Sequence, residues 1–165
     1  MLIRLVLTSA ATGGLLMLTA CGAGRITACD GLVYKDGGLT RAEYLPCAGE
    51  LITLLDRLSQ QVEAMLSGEE KARFEAQSTL GGLQGLLKKA GGRNMLERWS
   101  DAALTHLNVD IWNATTQHQA CMMVARQLFG RAPLGDEKYR EAARSQCRAY
   151  RGSYESAGRA FRALR

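Results

Sequence analysis

The sequence predicts an all-α fold, an up-and-down bundle of about four helices that follows an irregular, disulfide-pinned N-terminal segment. Apolar residues recur every three or four positions along most of the chain, which is the period of an amphipathic helix. The composition also favours helix, since the chain is rich in Ala, Leu, Arg and Gln and has two Pro and three Phe residues. An apolar content of 47% in 165 residues is typical of one globular domain.

The first twenty residues differ from the remainder and have the organisation of an export leader. Arg4 supplies a short, positively charged start, and the run from Leu5 to Thr19 is uncharged and mostly apolar. This run is shorter than the ~20 apolar residues that a membrane-spanning helix needs. We therefore predict that residues 1–20 are a signal peptide, with a retained membrane helix as the alternative.

The leader ends in Leu18-Thr19-Ala20-Cys21, which resembles the lipobox of bacterial lipoproteins. The resemblance covers residues 1–22 and implies that the chain is cut before Cys21. It also implies that the Cys21 thiol carries a diacylglyceryl group and that the new amine carries a fatty acyl group such as palmitate. Gly22, in place of the Asp that retains such proteins at the inner membrane, implies delivery to the periplasmic face of the outer membrane in a Gram-negative host. An ordinary secretory signal that ends near an unmodified Cys is the alternative.

Residues 21–28 are predicted to be a lipidated tether, and residues 29–165 a single helical domain. The tether is rich in small residues and reaches at most ~25 Å, which would keep the domain close to its membrane. Two or three acyl chains hold a protein on a bilayer durably, whereas one chain holds it marginally. The resemblance thus predicts a stable anchor in the cell envelope.

The cysteines that remain after lipidation are even in number, as expected of a chain bound for an oxidising compartment, and predict two disulfides rather than free thiols. They are Cys29, Cys47, Cys121 and Cys147. If the last two helices form a hairpin, Cys121 and Cys147 lie equally far from its turn at 131–135 and therefore face each other. That pairing leaves Cys29 with Cys47.

The first two helices are predicted from capping patterns and glycines. After two Asp-Gly turns in residues 29–39, Thr40 and Glu43 form a capping box, which places the helix start between Arg41 and Cys47 with Pro46 in its first turn. An apolar stripe then runs to Leu66. Ser67 and Glu70 repeat the capping pattern, and Gly81, Gly82 and Gly85 predict one broken or two short helices over residues 68–90, closed by Gly91-Gly92.

The last two helices are predicted to be the longest. Asn94 with Glu97 indicates the cap of a third helix, whose apolar stripe runs from Leu96 through Trp99 to Leu128 and would span ~50 Å. Arg131 to Gly135 form the turn that ends it. Asp136 is then predicted to cap a last helix, whose stripe runs from Tyr139 to Leu164.

The third helix contains a possible metal site, for which simple core packing is the alternative interpretation. His118, Cys121 and Met122 share one helical face, and imidazole with soft sulfur is typical of copper ligation. His118 and Cys121 also lie on the apolar stripe, where a histidine is usually a core residue with its hydrogen bonds satisfied. We therefore predict no metal and no cofactor, and keep His118 and Met122 as the metal-ligand candidates.

The chain has no catalytic motif, since it lacks HExxH, GxSxG and a Walker loop. The polar run of His106, Asp110, Asn113 and Gln117 follows one helical face and could form an acid–base pair. A solvated or interhelical polar seam is the predicted alternative, because no nucleophile accompanies the run. The sequence therefore predicts that the protein is not an enzyme.

Two surface features remain as binding candidates. The row Arg140, Arg144, Arg148 and Arg151 is spaced along one edge of the last helix and suits an anionic partner, unless it is a solvated edge paired with Glu137 and Glu141. Leu80, Leu83, Leu86 and Leu87 lie among glycines and are expected to form a mobile apolar surface. Nucleic acid is excluded as a partner by the predicted export.

Two functional hypotheses of different classes follow. The first is an envelope lipoprotein that acts as a structural or interaction module and docks a protein or an anionic envelope component. The second is a periplasmic module that holds a small ligand or a metal within the bundle. A tightly packed core with an exposed basic or leucine-rich face would favour the first, and an internal cavity lined by His118 and Met122 would favour the second.

Overall fold

The computed structural model describes residues 27–33, 35–90, 99–129 and 137–165. These residues form a bundle of four helices and contain no strand, which confirms the predicted all-α fold: α1 (Arg41–Leu66), α2 (Glu70–Lys89), α3 (Ala102–Phe129) and α4 (Glu137–Leu164). The leader, Cys21, the caps predicted at Asn94 and Asp136, and the turns at 91–92 and 131–135 lie outside the described residues. None of the four helices is both long enough and apolar enough to cross a membrane.

α1 begins where the sequence predicts. The Thr40 side chain accepts a hydrogen bond from the Glu43 N–H, and the Glu43 carboxylate accepts one from the Thr40 N–H at 2.9 Å. This reciprocal pair satisfies two of the N–H groups that a helix start leaves without partners. Pro46 lies in the second turn rather than the first, and the helix continues through it. Pro46 has no N–H to donate to the Ala42 carbonyl, so this turn forgoes one backbone hydrogen bond.

The predicted start of α2 at Ser67 is wrong. The Ser67 N–H donates to the Glu63 and Ala64 carbonyls, so Ser67 closes α1. Gly68 follows with a φ of 103°, a conformation that lets the chain reverse at once. α2 then begins after Glu69, whose side chain makes no capping bond.

α2 is one continuous helix, so the predicted break is wrong as well. Its glycines are exposed on the outer face, whereas Leu80, Leu83 and Leu87 are buried. Each interior glycine costs about 1 kcal/mol relative to Ala, but each buried leucine contributes about 1.5–3 kcal/mol. Burial therefore outweighs the glycines. The expected leucine surface is also wrong, since only Leu86 of the four leucines remains half-buried.

α3 begins later than predicted. Asp101 caps it, because its carboxylate accepts hydrogen bonds from the Ala103 N–H at 2.9 Å and the Leu104 N–H at 3.3 Å. Trp99 precedes the helix and packs edge-on against Tyr44, with ring centroids 4.9 Å apart. A Cβ at Gly38 would lie 2.3 Å from the Trp99 ring, so this contact requires glycine. Trp99 is therefore a core residue that lies before α3, although it continues the apolar spacing of the α3 sequence.

The helices pack chiefly as two pairs, α3 with α4 and α1 with α2. Cys121 and Cys147 form a disulfide across the α3–α4 pair, with Cα atoms 4.8 Å apart. Cys29 and Cys47 form another, with Cα atoms 4.6 Å apart, which ties the N-terminal segment to α1. Both predicted pairings are confirmed. Disulfides of this kind typically stabilise a domain by about 2–4 kcal/mol each.

Candidate functional site

A groove of about 840 Å³ opens at the end of the bundle where the chain enters α1. The first half of α1, Leu86 near the end of α2 and the last residues of α4 form its walls. Thr27, the first described residue, lies on its edge. An up-and-down topology brings these segments together, because the start of α1 and the ends of α2 and α4 share one end of the bundle.

The floor of the groove is apolar. Its side chains come from three helices, pack against the core and remain half-buried: Leu45, Leu54, Leu86, Phe161 and Leu164. Gly49 helps to shape this floor, since a Cβ at that position would lie only 3.2 Å from Cζ of Phe161. The glycine therefore lets the Phe161 ring lie close to α1.

Three charged side chains line the groove: Arg57, Arg165 and Glu50. Neither arginine forms an ion pair with another described side chain, and the Arg165 guanidinium lies 5.8 Å from the Phe161 ring centroid. The Oε2 atom of Glu50 is shielded from solvent and has no hydrogen-bond partner among the described residues. The named side chains therefore give the groove one net positive charge.

The groove contains a hydroxyl but no arrangement that would activate it. Thr53 Oγ1 donates a hydrogen bond to the Gly49 carbonyl at 2.8 Å, so its proton is held by the backbone of the preceding turn. No His or Cys is among the residues that line the groove. The described lining can therefore bind and orient a molecule, but it has no paired nucleophile and base.

The predicted arginine row is largely occupied by carboxylates. Arg140 pairs with Glu137 and also donates to the Ser67 carbonyl at 3.0 Å. Arg144 lies 2.9 Å from Glu137 and 3.6 Å from Glu141. Of the row, Arg148 is exposed and forms no ion pair within the described residues. Nearby carboxylates thus neutralise much of the positive charge of the arginine row, which the sequence indicates as a candidate surface for an anionic partner.

Arg151, the last residue of the row, belongs to a link between α1 and α4. It donates to the Glu63 carboxylate at 2.6 Å, and the Tyr150 hydroxyl donates to the same carboxylate. Burial alone would raise the pKa of Glu63, but these two hydrogen bonds lower it overall. Burial and the Glu63 carboxylate raise the pKa of Tyr150. The carboxylate therefore stays ionised and holds the two helices together.

His118 is a core residue, as the apolar stripe predicts. Its side chain is fully buried, Nδ1 donates to the Ala114 carbonyl at 2.7 Å, and the ring lies against Tyr150. Cys121 is bound in its disulfide, and Met122 is buried in the core. Among the described residues, no group of three or more His, Cys, Asp or Glu side chains comes together to hold a metal.

The polar run on α3 lies partly in an interhelical seam. Asp110 accepts a hydrogen bond from Ser156 of α4 at 2.7 Å, and Gln117 is half-buried. His106 and Asn113 are exposed. The structure brings Asp110 to the neighbouring helix, in agreement with the seam interpretation.

The sequence alone does not predict the groove. A signal for it exists in α1, because Leu45 and Leu54 lie beside the stripe formed by Leu51, Leu55 and Leu58 and make the apolar face wider than one core contact needs. Leu86 and Phe161 were assigned to separate helices, and nothing local indicates that they meet. The groove depends on the packing of three helix ends.

No protein-family model matches this chain, and no match was found among curated proteins or solved structures. The function is therefore inferred from the residues and geometry of the chain itself.

Proposed function

We propose that the protein is a lipid-anchored binding module of the bacterial cell envelope, that it docks its partner in the groove, and that it is not an enzyme. The observation that carries the binding role is the groove, which has an apolar floor and a few charged side chains at its rim. Ligand sites in proteins have this composition and occupy about 300–1,000 Å³.

The proposed anchor would hold the groove near a membrane. The resemblance at Leu18 to Cys21 supports lipidation, and Thr27 on the edge of the groove is the sixth residue after Cys21. A segment of this length reaches at most ~20 Å. The Cys29–Cys47 disulfide fixes the start of the described chain to α1, so the tether would leave the bundle at the groove end.

The groove supports docking better than the arginine row does. Three of the four guanidinium groups in the row already bind carboxylates, and displacing those contacts would offset part of any gain from a new anionic partner. The arginine row remains the second proposed surface for an anionic envelope component, and Arg148 is its member without an ion pair in the part of the chain that the structure describes.

The alternative of a small-ligand module takes a different form from the one the sequence predicted. A ligand of the groove would lie on the surface between helix ends, whereas His118 and Met122 belong to the core and do not line it. The docking hypothesis and the small-ligand hypothesis therefore share one site, the groove. They differ in the chemical class of the molecule that binds there.

The anchor is tested by expressing the full chain in a bacterium fed with an alkyne-labelled fatty acid. We expect the protein to carry the label and to partition with membranes, and Cys21→Ser to lose both. Cys121→Ser is the matched control and should keep the label, since it alters a cysteine outside the lipobox. Efficient labelling of Cys21→Ser would overturn the lipoprotein assignment.

A further inference from the structure

We propose that the occupant of the groove is a long-chain fatty acid, with its hydrocarbon tail on the apolar floor and its carboxylate at Arg57. This inference rests on the proposed function, because it names the ligand of the same groove. It commits to a single-chain, singly charged amphiphile, and three observations favour that class.

The first observation is the shape of the floor. Its leucines and Phe161 come from three helices, and the lining of α1 extends from Leu45 to Arg57. These two positions are ~18 Å apart at ~1.5 Å per residue of helix. Glu50 and Thr53 interrupt the apolar side chains of this lining, but its length suits an elongated molecule such as an acyl chain better than a compact ligand. A hydrocarbon tail also needs no hydrogen bonds from a floor that offers few.

The second observation is the position of the charges. Arg57 lies at the far end of the α1 lining, Arg165 lies beside Phe161 at the end of α4, and neither has an ion-pair partner among the described side chains. A guanidinium group donates two parallel hydrogen bonds to a carboxylate. Glu50 lines the same groove, so the named side chains carry one net positive charge, which a monoanion neutralises and which a polyanion exceeds.

The third observation is the location of the groove. Thr27 lies on its edge, and the proposed lipid anchor is six residues away. Fatty acids partition into bilayers, so a groove held against a membrane surface meets them at a high effective concentration. A weakly bound amphiphile could therefore still fill the site.

The test uses the mature chain, residues 21–165 with Cys21→Ser, which retains all four helices and both disulfides. A dansyl-labelled undecanoic acid serves as the fluorescent probe, and hexadecanoic acid and hexadecanol compete for it. We expect saturable binding of one probe per chain and displacement by the acid at lower concentration than by the alcohol. Shortening the acid should weaken binding by up to about fourfold per methylene.

Variants then locate the site. Arg57→Gln should weaken binding of the acid about two- to fivefold, the size typical of exposed ion pairs, and leave binding of the alcohol unchanged. Arg165→Gln, toward the other end of the groove, should have a smaller effect on the acid. Arg126→Gln, at an exposed position on α3 outside the groove, is the charge control. Thr53→Trp should fill the groove and abolish binding, whereas Ser78→Trp, exposed on α2, should bind as the parent does. Circular dichroism establishes that each variant is folded.

Three results would overturn the inference: no saturable binding, equal affinity for acid and alcohol, or unchanged binding by folded Thr53→Trp. The inference would also be overturned if a diacyl phospholipid or an amphipathic peptide displaced the probe at lower concentration than hexadecanoic acid does. The groove would then be a docking surface for that partner. The lipoprotein assignment is tested separately, because only covalent labelling of Cys21→Ser by the alkyne fatty acid would overturn it.

Discussion

His118 is a fully buried polar side chain of α3 with one hydrogen-bonded ring nitrogen. Its Nδ1 atom has a carbonyl as partner, so the proton of the neutral ring lies on Nδ1 and the lone pair lies on Nε2. Nε2 is buried without a hydrogen-bond partner among the described residues. Protonation would place a charge there with nothing to accept its new hydrogen bond. Burial is accordingly the main cause that lowers the pKa of His118 below 6.5.

This geometry predicts that the protein loses stability in mild acid. With its pKa lower in the folded state than in the unfolded state, His118 binds a proton more readily after unfolding. The free energy of unfolding should therefore fall as the pH drops below about 6.5, by at most ~1.4 kcal/mol per pH unit. Urea unfolding at about pH 7.5 and 5.5 measures the change.

Two variants isolate the contribution of His118. His118→Phe should remove the pH dependence in this window, and His106→Gln, which replaces the other histidine at an exposed position, should retain it. Asp30 and Glu43 have pKa values lowered to about 2 through hydrogen bonds with Lys89 and Thr40 respectively, so their stabilisation is lost only at more acidic pH. A pH dependence that persists in His118→Phe would contradict this assignment.

At the level of the helices, Asp101 joins two elements. Its carboxylate caps α3 and also accepts a hydrogen bond from Arg41 Nε at 2.7 Å, at the start of α1. The cap satisfies N–H groups that would otherwise have no partner, whereas the ion pair with Arg41 is exposed and contributes less.

We expect Asp101→Ala to lower the free energy of unfolding by about 0.5–2 kcal/mol, the usual cost of removing a cap. Asp101→Asn should retain most of the stability, because an amide oxygen can accept the same backbone hydrogen bonds. Urea unfolding of both variants separates the two roles of the side chain. If Asn is as damaging as Ala, the ion pair with Arg41 is the main contribution and the cap is minor.

Periodicity predicted the helices well where it reflects burial, and poorly where other forces decide. The stripe of α1 and its cap at Thr40 were predicted because both depend on residues close in sequence. Trp99 misplaced the start of α3, because periodicity does not distinguish a buried loop residue from a helical one. The break predicted in α2 is absent because the leucines near its glycines are buried in the core and α2 packs chiefly against α1. This stabilisation is tertiary, so the local sequence does not show it.

At the scale of the whole molecule, Thr27, the first described residue, lines the groove, so the proposed anchor would share that end of the bundle. The predicted up-and-down topology implies that the ends of α2 and α4 return to the start of α1. The topology of the site can therefore be predicted from the sequence. The distances between Leu45, Leu86 and Phe161, which form the groove, cannot. Those distances depend on how the helices pack, which no local pattern specifies.

The most direct test of a membrane-anchored groove is photo-crosslinking in living cells. The full-length protein would carry benzoylphenylalanine at Leu164, which lines the groove, at Ser78 on the outer face of α2, or at Arg148 in the arginine row. Irradiation should give membrane-associated adducts from Leu164, with few or none from the other two positions. Adducts from Arg148 or Ser78 without any from Leu164 would contradict docking in the groove, and adducts from Arg148 would favour the arginine row.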